Sequence, residues 1–298
     1  MGTVSRAVED RLLPLDRLGL SSADEQALRA ALEPRRGLIL FAEPSGSGKM
    51  TTAWAALGEL ARRGRHVATV EDCPAAALAS LAGIRQGHAD GTAETAAAMA
   101  LRRQLARTPD VLYASSARDR ESAILLVQAA RTRLLALVVL EAGDGAEALA
   151  SLQGLGVPGP DVADAALAVV SQRLVRRVCP DCAVPSEASP YMRRRFAIPD
   201  GFRGFFRKAQ GCPACGHSGY AGRRALYELL MVDDRLRQAL RRGLDADGLR
   251  QMALARGLRP LRQDGLVKAA EGVTTLEEAW RATGRARTKG CGSRSGKG

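Results

Sequence analysis

A short aliphatic run, a glycine-rich turn and a helix-spaced stretch follow one another without interruption between residues 37 and 63, and this succession constrains the fold most. Gly37-Leu38-Ile39-Leu40-Phe41 reads as a buried strand. Glu43-Pro44-Ser45-Gly46-Ser47-Gly48-Lys49-Met50 follows, and Trp54, Leu57 and Leu60 then recur at helical spacing up to Arg63. Strand, small-residue loop and helix form the context in which backbone N–H groups and a lysine cradle phosphate. Against the pattern G-x-x-x-x-G-K-[ST], Glu43 replaces the first glycine and Met50 replaces the hydroxyl residue that binds Mg²⁺. Thr51 lies one residue on, about 100° around a helix, and is poorly placed to supply that hydroxyl. Ser45, Gly46, Ser47, Gly48, Lys49 and Thr51 are the candidate phosphate-binding residues.

Further apolar runs at Val67–Val70, Val111–Tyr113 and Leu134–Leu140 alternate with helical stretches. This alternation predicts an α/β protein with a mostly parallel sheet and helices on both faces. Ser21-Ser22-Ala23-Asp24 caps a predicted helix over DEQALRAAL. Pro and Gly rise at 155–160, a loop-rich segment spans 179–224, and helices are expected to resume from Ala225. The predicted organisation is a lead-in over 1–33, a nucleotide-binding core over 34–178, a metal-binding element over 179–224, a helical subdomain over 225–283 and a disordered basic tail over 284–298.

Four of the six cysteines form two C-x-x-C pairs, Cys179/Cys182 and Cys212/Cys215, with 29 residues between the pairs. Two residues between thiols let one turn chelate a metal, and four thiolates suit a closed structural Zn²⁺ site, the gap accommodating a helical insert. Two disulfides or free thiols are the competing reading. Cys73 and Cys291 are expected to be unpaired thiols without a role. His217 is expected to be a turn residue, and neither His66 nor His88 has a context for nucleophilic catalysis. Trp54 and Trp280 are expected to pack on helices.

The formal charge of +12 and the pI near 10.1 favour acidic partners. An aromatic content of 4% leaves no stacking platform, which counts against a zinc-containing nucleic-acid-binding module. The opening MGTVSRAVEDRLLPL lacks a signal-peptide core, and the longest aliphatic run, Leu134–Leu140, is far short of the roughly 20 residues that cross a bilayer. The expected location is the cytoplasm.

Several ordered motifs carry a family resemblance. They are GLILFAEPSGSGKMTTAWAAL from 37, TVEDCP from 69, TPDVLYASSARDRESA from 108, SQRLVRRVCPDC from 171, GCPACGHSGYAGRRALYELLMVDD from 211 and GLRPLRQDGLVKAAEGVTTLEEAWR from 257. Over roughly residues 14–283 the chain resembles the C-terminal motor domain of the type II secretion and type IV pilus assembly ATPases, with residues 1–33 resembling the last piece of the N-terminal domain. The resemblance implies a RecA-like P-loop core, a tetracysteine zinc site, ATP as ligand and hexameric rings that work with inner-membrane platform proteins. The rings implied are homo- or hetero-oligomeric.

The departures from the family pattern fall on the chemistry. Of the acidic box T-I-E-D-P-x-E, Glu71 and Asp72 match, whereas Cys73 replaces proline and Ala75 replaces the glutamate implied as general base. Of V-G-E-I-R-D, Arg118 and Asp119 match, but Ser116 occupies the place of the carboxylate. Leu134 and Glu141 occupy the places of the two histidines of the histidine box. Glu71, Asp72 and Arg118 are therefore residual family positions. The pattern predicts a subunit whose nucleotide loop persists while Mg²⁺ binding and hydrolysis are impaired, with a working secretion or pilus ATPase as the alternative.

Overall fold

A computed structural model describes residues 13–42, 51–70, 84–87 and 93–284, the first stretch of the third helix and the strand at 84–87 as backbone only. The strands are β1 (Gly37–Ala42), β2 (Val67–Val70), β3 (Ile84–Gly87), β4 (Val111–Ala114), β5 (Leu135–Leu140), β6 (Ala166–Val178), β7 (Ala183–Pro185), β8 (Arg207–Ala209) and β9 (Tyr220–Met231). Seven of them form one sheet in the order β3-β2-β4-β5-β1-β6-β9, all parallel except the β6/β9 pair. This is the mostly parallel sheet that the alternation of runs predicts.

Parallel strands need helical crossovers, so both faces are covered and the strands read as unbroken apolar runs. In β1 every residue is buried. Leu38, Leu40 and Ala42 point into one core layer and Ile39 and Phe41 into the other, as the two-residue period of a strand requires. The first layer packs against helices α4 (Arg120–Thr132), α5 (Gly145–Gly154) and α6 (Gly159–Ala165), preceded in the chain by α1 (Ser22–Leu32), α2 (Thr51–Arg62) and α3 (Ala93–Leu105). The second takes Leu28 and Leu32 of α1 with Leu57 and Leu60 of α2. The predicted cap of α1 is present, with Ser21 Oγ accepting from the Asp24 N–H at 3.1 Å.

Residues 220–231 correct the expectation of helix from Ala225. Ala, Leu and Glu favour helices, and Leu226, Leu229 and Leu230 have helical spacing, yet the segment pairs antiparallel with β6 from Ala168↔Met231 to Val178↔Tyr220. Ala225 and Tyr227 face one core layer while Leu226 and Leu230 face others, so burial on both sides erases the alternation that marks a strand. Helices resume at α8 (Asp234–Arg241), followed by α9 (Ala246–Ala255), α10 (Leu261–Ala270) and α11 (Leu276–Thr283).

Between β6 and β9 the chain builds β7, α7 (Pro190–Phe196) and β8, so the loop-rich segment carries the helical insert allowed for between the cysteine pairs. It rests on a separate small core in which Met192, Phe196, Ile198 and Phe206 meet Ala269, Leu276 and Ala279. Trp280 packs edge-on against Phe196, ring centroids 5.9 Å apart. Among the described residues no helix is long and apolar enough to cross a membrane.

Candidate functional site

The strand register brings the chemistry-bearing segments to one edge. Ala42 lies opposite Leu140 and Ser171, and Val70 lies opposite Ala114. The parallel strands β1, β2, β4 and β5 therefore end side by side at Ala42, Val70, Ala114 and Leu140, and it is at such C-terminal strand ends that ligands of open α/β sheets bind. Ser45, Gly46, Ser47, Gly48, Lys49, Glu71 and Asp72 lie outside the described residues, as do Glu43, Met50, Cys73 and Ala75. Thr51 opens α2 and is half-buried.

At the described part of this edge, the Arg118 side chain is 78% exposed with its guanidinium 3.8 Å from the Glu141 carboxylate. Such an exposed pair adds little stability. Asp119 caps α4, its carboxylate accepting from the Ser122 N–H at 2.7 Å. Ser115 and Ser116 are half-buried at the end of β4, and Leu134 is fully buried. Thus Glu141 and Leu134, which occupy the places of the histidine box, part ways: one faces an arginine at the surface and the other belongs to the core.

Residues missed from sequence tie this edge to the C-terminal helices. The buried Thr52 hydroxyl donates to Gln172 Oε1 at 2.7 Å and lies 3.0 Å from the Tyr227 hydroxyl, which is left to donate to it. The Tyr227 N–H donates to Asp264 at 2.8 Å, and the same carboxylate accepts from the buried Lys268 ammonium at 2.6 Å. Lys268 also donates to the Ala225 carbonyl at 2.8 Å. Burial pushes the Lys268 ammonium below its usual range, with Asp264 opposing that shift. A polar run thus crosses from the helix after the glycine-rich segment through β6 and β9 to α10. Its only sequence signals were polar residues inside apolar strands, Gln172 and Tyr227.

Glu228, next along β9, is also buried. Its carboxylate accepts from the Gly145 N–H at 3.1 Å and the Ser171 hydroxyl at 3.3 Å, and faces the Leu261 N–H at 3.4 Å. Burial raises its pKa above the usual carboxylate range, and these donors only partly oppose it. A glutamate within ALYELLM is the kind of buried polar residue that a strand assignment would have flagged.

The four cysteines converge at the far tip of the β6/β9 ribbon. Their sulfurs all lie within 4.8 Å of one another, with Cys179–Cys212 at 4.0 Å, Cys182–Cys215 at 3.9 Å and Cys212–Cys215 at 3.7 Å. A disulfide would hold sulfurs about 2.0 Å apart, so the paired-disulfide reading does not fit. Four sulfurs about 2.3 Å from one tetrahedral ion would stand about 3.8 Å apart, and the donor set fits that geometry. Backbone N–H groups of Gly211, Cys212 and Gly219 point at Cys182 and Cys215 sulfurs from 3.2–3.3 Å. The Cys212 N–H first, and the Gly219 N–H with it, pull the Cys215 thiol down to about 6. Cys182 is pushed up to about 12, first by desolvation and then by the crowding of its sulfur neighbours. Gly219 permits the close turn: its φ is +76°, and a Cβ there would lie 2.6 Å from Ala209 Cβ. His217, with φ +59°, is the turn residue expected, its N–H donating to the Cys212 carbonyl at 2.8 Å.

Residues 3–281 match the family model described as Type II/IV secretion system protein. The chain is 35% identical over 268 residues to the type IV pilus assembly ATPase PilB of Thermus thermophilus, covering 89% of this chain and 30% of that protein. It is 37% identical over 275 residues to the type II secretion system protein E of Pectobacterium carotovorum, covering 91% and 53%. The type II secretion system ATPase E of Vibrio cholerae is 35% identical, with 91% and 53% covered. The chain therefore spans between about a third and a half of these relatives. Among solved structures, the pilus retraction motor PilT with bound ADP superposes with a TM-score of 0.65 at 20% identity, covering 92% of this chain and 68% of that one. The Legionella pneumophila ATPase DotB superposes with a TM-score of 0.65 at 18% identity, covering 90% and 64%. At such identities these two show the α/β ATPase fold alone. On the extent of the model match and the identity to the curated relatives, the chain belongs to the type II/IV secretion system protein family.

Proposed function

We propose that this chain is a motor-family subunit of a secretion or pilus-type machine that holds a nucleotide phosphate but hydrolyses it poorly. The observation that carries the reading is the end of β4, where half-buried Ser116 follows the strand in the place the resemblance gives to the family's carboxylate. Support comes from Met50 in place of the Mg²⁺-binding hydroxyl and Ala75 in place of the general base. Thr51 is poorly placed around the helix, and the Thr52 hydroxyl next to it is engaged with Gln172 and Tyr227. A positioned base contributes about 10²–10⁴-fold, and the metal neutralises charge on the transferring phosphoryl group, so losing both removes most of the rate. The role is then that of a scaffold or regulatory subunit in a ring with like subunits, on the cytoplasmic side of the inner membrane against its platform proteins. The four cysteines hold structural Zn²⁺, which offers no open coordination position for catalysis.

The test is turnover of Mg·ATP by the purified chain with Lys49→Ala as control, alongside thermal stabilisation by ATP. A bound nucleotide at 100 times its Kd stabilises by about 2.7 kcal/mol, so binding without turnover is readable. Stabilisation lost in Lys49→Ala, with turnover near background, is expected. Robust turnover that Lys49→Ala abolishes overturns the reading in favour of a working ATPase.

A further inference from the structure

At the N-terminal ends of β1 and β6, the end of the sheet opposite the nucleotide edge, the chain forms a cavity of about 460 Å³. β1 runs six residues between the two ends, so at about 3.3 Å per residue they stand roughly 17 Å apart. Arg36, Arg131 and Arg237 line the cavity, with Asp164 the one acidic residue and Ala130 and Leu167 apolar. Arg36 precedes β1, Arg131 lies near the end of α4, and Arg237 lies on α8. Gly37 lets Leu167 close over the start of β1: its φ is +142°, and a Cβ there would lie 2.3 Å from Leu167 Cδ1.

The acceptors in this corner are already engaged. Asp161 accepts from Arg131, Asp164 from Arg241 at 2.6 Å, and the Ala163 carbonyl from Arg237. Arg36 is exposed and makes no hydrogen bond or ion pair with any described residue. Four arginines thus meet two carboxylates, an excess of two positive charges. Gathered like charges repel, and an anion seated among them relieves that repulsion. We propose that this cavity binds a small phosphate-bearing molecule, at a site separate from the nucleotide loop. A phosphate dianion brings two negative charges on one group, equal to the excess, and its oxygens suit the forked donors of guanidinium. The volume falls within the roughly 300–1,000 Å³ of small-ligand pockets, which leaves room for an organic body beside Ala130 and Leu167. An acidic protein segment is the poorer occupant, because the lining is concave and offers no aromatic anchor.

Calorimetric titration of inorganic pyrophosphate into the full chain without Mg²⁺ tests this, with Lys49→Ala alongside to disable the nucleotide loop. Binding that survives in Lys49→Ala, weakens with salt and falls about ten- to a hundredfold in Arg36→Glu is expected. Arg36 has no partner to lose, so that variant should melt at the temperature of the parent chain. Asp164→Asn removes a negative charge from the wall and should tighten binding, a change of sign that general loss of structure would not give. Binding lost in Lys49→Ala overturns the proposal and assigns the phosphate to the nucleotide loop. Binding undiminished by Arg36→Glu overturns it by moving the phosphate elsewhere. Citrate bound more tightly than pyrophosphate overturns the phosphate class. No binding at all overturns the proposal, turns attention to an acidic protein as occupant, and leaves the nucleotide reading to its own test with ATP.

Discussion

The Tyr227 hydroxyl lies 3.0 Å from Thr52 Oγ1, joining a strand of the C-terminal third to the second residue of the helix that follows the glycine-rich segment. Both residues are almost fully buried, as is Gln172, whose Oε1 accepts from the Thr52 hydroxyl. In such surroundings an unmade hydrogen bond costs more than a made one contributes. Thr52→Val keeps the shape but removes the hydroxyl that the Gln172 carbonyl and the Tyr227 hydroxyl share. It should cost about 1–3 kcal/mol, while Tyr227→Phe should cost about 1 kcal/mol. Urea denaturation with an unchanged m-value reads both. The double variant should cost less than the two single variants together, because the same contact is removed twice. Additive losses would mean that the two side chains act independently.

Glu278 gives the fold an acid-sensitive clasp. It receives the Arg176 N–H at 3.1 Å, the Arg176 guanidinium at 2.6 Å and the Arg281 guanidinium at 2.9–3.0 Å. Burial pushes its carboxyl upward, but the two arginines and the N–H outweigh that and hold it at about 2 against an ordinary 4.5. The folded pKa is depressed, so the unfolded chain takes up the proton first as pH falls. The stabilisation is complete above the ordinary value and drains away as pH drops toward the folded one. Glu278→Gln should flatten the loss of stability across that window in melts taken at a series of pH values. A variant curve parallel to the wild-type curve would remove Glu278 from the acid response.

How much of this was readable in the sequence follows from where each interaction lives. β1, β2 and the helix over 51–62 are local objects: buried aliphatic runs, a glycine-rich turn and a 3.6-residue period are visible within a dozen residues. The cysteine cluster was readable too, since C-x-x-C spacing is itself a local chelate. β9 was not, because its partner β6 lies some fifty residues upstream and pairing, not propensity, decides ALYELLM. The Thr52–Tyr227 contact spans 175 residues and has no local signature. Arg118 matched a motif, yet motif position could not show that its side chain would point to solvent beside Glu141.

The cysteine cluster should behave as a metal-dependent unit. Purified under reducing conditions, the chain is expected to carry about one zinc per molecule, and Cys182→Ser or Cys212→Ser should abolish that. Metal affinity is folding energy where the site does not exist in the unfolded chain. Chelation should therefore raise amide exchange across 179–219 while β1, β4 and β5 keep their protection. Zinc content well below one per chain, or exchange unchanged by chelation, counts against a metal site.

Glu228 should give a pH dependence of the opposite sign to Glu278. Desolvation raises its pKa in the folded chain despite the Gly145, Leu261 and Ser171 donors. Between the ordinary value of 4.5 and the raised one, the folded chain keeps a proton that the unfolded chain has released. Stability contributed by this group is then present at low pH and is lost as pH rises through the folded value. Glu228→Gln retains an oxygen for the Gly145 N–H and removes the titration. Every other group, Glu278 included, is common to the two proteins and cancels in the difference between their stabilities. That difference should move in favour of the glutamine variant as pH rises from about 5 toward 8. A difference that stays constant across the range would show that Glu228 is already charged in the fold and that its three donors fully offset its burial.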